Sequence, residues 1–318
     1  MSVSDSAPLY LGIDVGGTDV KLGLVDDTCR IVATERTATC TLKTPEKVFQ
    51  HAMEFAAGHP IAGVGLAVPG VLDSRLYELR EVVNLDGWLG VPLRDQLAEA
   101  SGLPSMVVND ANAAAYAEHA SRLLGVQSLA LITLGTGVGC GMVVVGNPHG
   151  GDHGCAGELG HIAVDFSDDA LPCTCGSRGH LETYAGAGGV IARMVQLSGE
   201  DPDGLTPRRI ADRAEAGDAI CQKVISDTAC YVGRAIGMLG QVADPAVVLL
   251  GGAMTFGGLE TETGRRFLAD VQKSVKETTL VQVGGNMKIE FATLGNQAGM
   301  IGAAMVARDQ SSLSAFKK

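Results

Sequence analysis

Aromatic residues are scarce in this sequence: one Trp, five Tyr and seven Phe, 4% of 318 residues. A core built with so few rings relies on small and aliphatic side chains and on close backbone approach, and Gly is abundant at 43 residues. Positive charge is also short, with 24 Lys and Arg against 36 Asp and Glu for a formal net charge of -12. No run of Lys and Arg offers the footprint that a phosphate backbone needs, so nucleic acid is not an expected partner. The first eight residues hold Asp5 and no basic, apolar leader, so no secretory signal is expected.

The stretch Ser128 to Gly146 is uncharged and long enough to span a membrane, but it has Gly-Thr-Gly-Val-Gly-Cys-Gly at its centre. Such a centre breaks a helix and suits a hairpin between two buried strands, so no membrane span is expected and the chain reads as cytoplasmic. In that compartment the eight cysteines do not form a disulfide framework. Six of them, Cys29, Cys40, Cys140, Cys155, Cys221 and Cys230, sit in apolar or mixed surroundings and are expected to be buried thiols. Cys173 and Cys175 differ, one residue apart in a polar, Gly-rich segment. No low-complexity linker divides the chain, although its length suffices for two domains, each with a core.

One device occurs twice. Leu9 to Leu24 is a β-hairpin around Asp14-Val15-Gly16-Gly17-Thr18, and roughly 120 residues further on Leu129 to Val145 is another around Gly135-Thr136-Gly137-Val138-Gly139. Neither turn has the spacing of the dinucleotide fingerprint or the Walker loop. Glycines there bring bare N–H groups close to a ligand and can cradle phosphates, or they simply make tight turns. The pair, each with a Thr among its glycines, suggests two similar half-molecules facing one nucleotide.

The remaining pattern alternates strands and helices. Ile31 to Ala33 extends the first hairpin into a meander, Pro45 to Ala57 is an amphipathic helix, and Ile61 to Val68 is an apolar strand ending at Pro69-Gly70. Leu93 to Ala100 reads as a helix and Met106 to Val108 as a strand. This strand enters Asn109-Asp110, followed by an Ala-rich helix over Ala111 to Ala120. Both residues cap helices well, and both lie where α/β folds place ligands. Ser167 to Arg178 reads as a loop, with helices over Leu181 to Gln196, Ala219 to Gly240, Gly264 to Lys276 and Gln297 to Arg308. Strands are expected at Ala246 to Leu250, ending in Gly251-Gly252, and at Met287 to Ala292.

Gly157-Glu158-Leu159-Gly160-His161 sets an acid and an imidazole between glycines. Twelve residues after His161 begins Cys173-Thr174-Cys175-Gly176-Ser177-Arg178-Gly179-His180-Leu181-Glu182. Two thiolates with His161 and His180 make a tetrahedral zinc set, the alternative being a redox or incidental cysteine pair.

Taken in order, Asp14-x-Gly-Gly-Thr18, Pro69-Gly70, Asn84-Leu85, Asn109-Asp110, Gly135 to Gly139, Gly157 to His161 and the C-x-C-G-x-x-G-H-x-E run resemble the ROK family, the bacterial glucokinase-type sugar kinases. The resemblance spans residues 9 to 307. It implies the actin-like ATPase, ribonuclease H-like fold, two α/β domains around a central cleft. The repeated hairpin puts the boundary near residue 108, with a small domain over 1–108 completed by the C-terminal helix 297–318 and a large one over 109–296 that carries the zinc motif. The resemblance implies a homodimer or dimer of dimers that phosphorylates a hexose from ATP, with glucose first among the acceptors. N-acetylmannosamine, N-acetylglucosamine, fructose and a polyphosphate donor stand as alternatives.

The same resemblance assigns Asp110 as catalytic base, and Asn84, Asn109, Asp110, Glu158, His161 and Glu182 to the sugar. Asp14, Gly16, Gly17, Thr18 and Lys21 go to the first phosphate loop, Gly135, Thr136, Gly137 and Gly139 to the second, and Gly251 and Gly252 to the adenosine side. ATP, magnesium near Asp14 and a structural zinc are the implied cofactors. Two positions depart from the family. His180 stands where a third zinc-binding Cys is usual, and Asp19 follows Gly-Gly-Thr where Asn is usual, adding a carboxylate near phosphates unless it points away. The family also includes sugar-responsive repressors with an N-terminal winged helix, whereas eight residues precede the first strand here.

Overall fold

The structure is a computed structural model that describes residues 7–73, 75–82, 85–122 and 125–315. Its elements run β1 (Leu9–Val15), β2 (Asp19–Asp26), β3 (Ile31–Ala38), α1 (Thr39–Leu42), α2 (Pro45–Ala56), β4 (Ile61–Val68), β5 (Val71–Asp73), β6 (Glu78–Glu81), α3 (Leu93–Ser101), β7 (Ser105–Asn109) and α4 (Asp110–Arg122). There follow β8 (Ser128–Leu134), β9 (Val138–Val144), β10 (Asn147–Pro148), α5 (Leu181–Ala185), α6 (Ala187–Ser198), α7 (Pro207–Glu215) and α8 (Ala219–Ala243). β11 (Val247–Gly251), α9 (Glu262–Thr278), α10 (Val281–Asn286), β12 (Lys288–Phe291) and α11 (Ala298–Ala315) close the chain.

Two five-stranded sheets share one strand order. The first runs β3-β2-β1-β4-β7 and the second β10-β9-β8-β11-β12. In the first, β1, β2 and β3 form an antiparallel meander and β4 and β7 continue parallel to β1. In the second, β10 pairs antiparallel with β9, and β11 lies parallel to β8 and β12. β1 is buried along nearly its whole length, as a central strand covered on both faces must be, while β3 alternates half-buried and exposed as an edge strand does.

The chain divides into two compact units. Unit 1 takes the described residues of 1–125, 141–157 and 296–318, and unit 2 those of 126–140 and 158–295. The division therefore falls not at residue 108 but after α4, and residues 141–157 return to unit 1 from the middle of β9. Helix packing accounts for the difference. α11 lies against β1 and β4 on one side and α4 on the other. A Cβ on Gly65 would stand 1.8 Å from the Ala303 carbonyl oxygen, and one on Gly302 would stand 1.8 Å from that of Ala113. Backbone-tight contact of this kind makes α4 part of unit 1.

Three expectations need correction. Leu181 to Gln196 is two helices, α5 and α6, because Gly186 is extended (φ -74, ψ 164) and the Ala187 N–H turns to the Gly135 carbonyl at 2.9 Å. β3 continues beyond the expected Ala33 to Ala38, and the β5–β6 hairpin, α7 and α10 add elements where no strand or helix was expected. Of the six cysteines expected inside, Cys140 and Cys221 are buried and Cys29 half-buried, but Cys40, Cys155 and Cys230 are exposed. Cys40 lies on the outer side of a short helix whose Thr39 and Leu42 face inward.

The helix crossing makes a direct prediction. Gly302→Ala is expected to lower the unfolding free energy by about 2–3 kcal/mol in denaturant titration, the cost of forcing a methyl into a backbone contact. A loss below about 0.5 kcal/mol would show that α11 can move away from α4 freely.

Candidate functional site

In unit 1 the first glycine-rich turn is held from behind and open in front. The Gly16 N–H donates to Asp19 O at 2.8 Å to close it. Thr39, at the start of α1, donates its hydroxyl to Gly16 O at 2.7 Å and its N–H to Thr18 O at 2.8 Å. Gly17 and Thr18 are exposed, and a Cβ on Gly17 would meet nothing within 4 Å. Among the described residues no acceptor meets the N–H of either, so the turn offers two bare donors.

Asp14, one residue before the end of β1, is buried and pairs across the ladder with Lys21. The Lys21 Nζ donates to Asp14 Oδ2 at 3.0 Å. Burial pushes the Asp14 carboxyl pKa up, and the ammonium works against that shift. Asp19 does not crowd the turn: its carboxylate pairs with the Arg36 guanidinium on β3, and that hydrogen bond holds its pKa below the usual carboxylate range. The meander register sets Lys21 opposite Arg36 and so brings the guanidinium within reach of Asp19, two residues away along β2. Nothing in the sequence marked Thr39 as a buttress.

Asn109 ends β7 and Asp110 begins α4, both half-buried. The Asn109 Oδ1 accepts the N–H groups of Ala111 and Asn112 at 3.0 and 3.1 Å, and its amide donates to Gly70 O at 3.1 Å. Both acceptor sites are thus occupied by capping, and one amide hydrogen is left for a ligand. The Asp110 Oδ1 accepts the Ala111 N–H at 2.8 Å, setting its carboxylate at the positive end of α4. Asn84, expected beside these residues, lies outside the described residues.

In unit 2 the second turn closes through Gly135 N–H to Gly137 O at 3.0 Å, and Glu182 Oε2 accepts the Val138 N–H at 3.0 Å. Thr136 is exposed, and Gly139 approaches Thr133 so closely that a Cβ would lie 2.8 Å from its hydroxyl. Gly251 ends β11 and Gly252 follows it beside this turn, with the Met254 N–H donating to Leu134 O at 3.0 Å. Beyond them a cavity of about 420 Å³ opens between α7 and the loop after β11, lined by Arg208, Glu215, Met254, Thr255 and Phe256 among others. Glu158 is exposed just before the one-turn helix Leu159–His161. Burial, with the Glu158 charge added, pushes the Cys140 thiol up to about 12, so that cysteine is an inert core residue.

His161, Cys173, Cys175 and His180 converge, each offering one ligand atom within 4.8 Å of the others. Cys173 and Cys175 sit at the tip of a small hairpin closed by the Pro172–Arg178 bridge, and a second bridge pairs Ala163 with His180. Cys173 Sγ lies 3.8 Å from His161 Nδ1, and Cys175 Sγ lies 3.2 Å from His180 Nδ1. Tetrahedral zinc at about 2.3 Å from sulfur and 2.0–2.1 Å from nitrogen needs ligand atoms about 3.4–3.8 Å apart, so two thiols and two imidazoles within 4.8 Å suit the metal after small side-chain shifts. Burial pushes the Cys173 thiol up, but hydrogen bonds from the Cys175 N–H and thiol and from both rings outweigh it and bring it down to about 6.

Together these features define a family. The ROK family model matches residues 10–310. The chain is 34% identical to a glucokinase of Halalkalibacterium halodurans, over 95% of this chain and 95% of that one. It is 32% identical to an N-acetylmannosamine kinase of Citrobacter koseri, over 94% and 98% of the two chains. The crystal structure of a ROK family glucokinase from Streptomyces griseus in complex with glucose and AMPPNP matches with a TM-score of 0.73 and 30% identity, over 95% of this chain and 99% of that one. The protein belongs to the ROK family and has its actin-like ATPase fold of two α/β domains. Among the described residues no helix is long and apolar enough to cross a membrane.

The Asp14–Lys21 pair gives a pH-dependent prediction. Without the ammonium the buried carboxyl would titrate higher still; the folded state then carries a penalty above that pKa and loses it as Asp14 takes up a proton. Lys21→Met is expected to cost about 2 kcal/mol of stability at neutral pH and progressively less toward about pH 4, read by urea unfolding against the unsubstituted protein. A cost that does not change with pH would show that the pair is not what the substitution removes.

Proposed function

We propose that the protein is an ATP-dependent hexose kinase that transfers the terminal phosphoryl group to the 6-hydroxyl of glucose. The observation that carries this reading is the repeated sheet, each copy ending its central hairpin in a glycine-rich turn, in a chain whose relatives include glucokinases and an N-acetylmannosamine kinase. Phosphoryl transfer passes through a loose transition state with charge spread over three oxygens, so the protein's task is to position and to supply N–H dipoles. Gly16, Gly17, Thr18 and Lys21 serve one group of phosphates and Gly135, Thr136, Gly137 and Gly139 another, with Gly251 and Gly252 on the adenosine side. Magnesium bound to the nucleotide would offset phosphate charge, with Asp14 as the carboxylate that orients it.

Asp110 is assigned the base that takes the hydroxyl proton as the bond to phosphorus forms. Asn84, Asn109, Glu158, His161 and Glu182 are assigned to sugar hydroxyls, each of which both donates and accepts; Asn109 contributes as a donor through its remaining amide hydrogen. Structural zinc on His161, Cys173, Cys175 and His180 completes the reading. With Nδ1 of His161 turned to the metal, its Nε2 carries the proton and donates outward. The protein is expected to act in the cytoplasm as a homodimer or dimer of dimers, as the family resemblance implies.

The test is direct. Incubation with ATP, magnesium and glucose is expected to yield glucose 6-phosphate by phosphorus NMR, and absence of any sugar phosphate would sink the kinase reading. The relative from Citrobacter koseri favours N-acetylmannosamine as the second acceptor to try; preferential turnover of that sugar would reassign the substrate and keep the chemistry. Asp110→Asn is expected to lower kcat by about 10²-fold or more with sugar affinity little changed, and unaltered turnover would remove Asp110 from the mechanism. Metal analysis of the purified protein is expected to give one zinc per chain, lost in Cys173→Ser; a metal content well below that in folded protein contradicts the zinc assignment.

A further inference from the structure

Glu182 is assigned to a sugar hydroxyl, yet one of its oxygens is already engaged. Its Oε2 accepts the Val138 N–H at 3.0 Å. The turn is shaped to receive it: a Cβ on Gly137 would lie 2.3 Å from that oxygen and 3.1 Å from the carboxyl carbon. The adjoining chain fixes the turn from a second point, through the Ala187 N–H on Gly135 O at 2.9 Å. Glu182 itself is set in the first turn of α5, two residues after His180 of the thiol–imidazole cluster.

We propose that Glu182 is a positioning residue of the second phosphate turn, holding the Gly135–Gly139 backbone in its nucleotide-receiving conformation by accepting the Val138 N–H whether or not sugar is present. The inference rests on the kinase reading and deepens it. A glycine turn left to itself has the largest backbone entropy to lose on binding, and fixing it beforehand lowers that cost. A carboxylate makes a stronger anchor than a neutral acceptor would. With Val138 committed to Glu182 and Gly135 to Gly137 O, Thr136 and Gly137 are, among the described residues, the turn's N–H groups left without an acceptor. Oε1 of the same carboxylate is left for a ligand hydroxyl, so one side chain serves the acceptor sugar and the donor turn.

The test is calorimetric titration of AMPPNP with magnesium into the full-length protein with no sugar present. A residue that only binds sugar cannot change that affinity. Glu182→Ala is expected to weaken nucleotide binding about 10-fold, and Glu182→Gln, whose amide oxygen can still accept the Val138 N–H, to recover most of the loss. Should the Ala variant not fold, Glu182→Asp, one methylene short of the turn, carries the same comparison. Affinity within about 2-fold of the unsubstituted protein in Ala or Asp, or a folded Gln variant as weak as either, would overturn the proposal. Failure of the unsubstituted protein to bind AMPPNP at all would instead overturn the kinase reading, and this inference with it.

Discussion

The organisation of unit 1 depends on backbone lying directly on backbone. α11 rests on β1, β4 and α4 through positions where a single methyl would stand within about 2 Å of a carbonyl oxygen, Gly12, Gly65 and Gly302 among them. This contact sets the end of β1, where Asp14 lies, and the start of α4, where Asp110 lies, against one helix. A Cβ on Gly299 would fall 2.8 Å from the Asp14 carboxylate, so the helix also limits where that carboxylate can turn. A chain with little aromatic bulk uses the resulting closeness for precision rather than for volume.

Most of the polar groups assigned to chemistry are also tied down by the protein. Asp14 meets Lys21, Asp19 meets Arg36, Asn109 caps α4 and reaches Gly70, and Glu182 holds Val138. Each bond removes a degree of freedom that a ligand would otherwise have to freeze. Among the described residues, the groups left open include the backbone N–H donors at the tips of the two turns and the exposed side chains of Glu158 and His161. An acidic protein thus presents dipoles rather than a cluster of cations to an anionic ligand, which favours positioned phosphates over indiscriminate binding of polyanions.

What could be read from the sequence had local causes. Both glycine turns, the strand-to-helix junction at Asn109-Asp110 and the donor set of His161, Cys173, Cys175 and His180 depend on residues near one another in the chain or on ligand chemistry, and the structure brings each together. What could not be read depends on contacts distant in sequence. The break at Gly186 follows from a hydrogen bond to Gly135, and the neutralisation of Asp19 by Arg36 needs the register of the meander. The return of residues 141–157 to unit 1 follows from packing that no local pattern encodes: a Cβ on Gly141 would lie 1.8 Å from Ala111 O. Exposure of Cys40, Cys155 and Cys230 likewise reflects which face of an element turns outward, which composition around a cysteine does not decide.

The central proposal is that each glycine-rich turn receives nucleotide phosphate through its bare N–H groups. Hydrogen exchange measured by mass spectrometry with and without AMPPNP and magnesium reads this at the level of the backbone N–H groups concerned. Protection is expected in peptides covering both Asp14–Asp19 and Leu134–Gly139. Protection of neither, or of one alone at saturating nucleotide, would contradict the account.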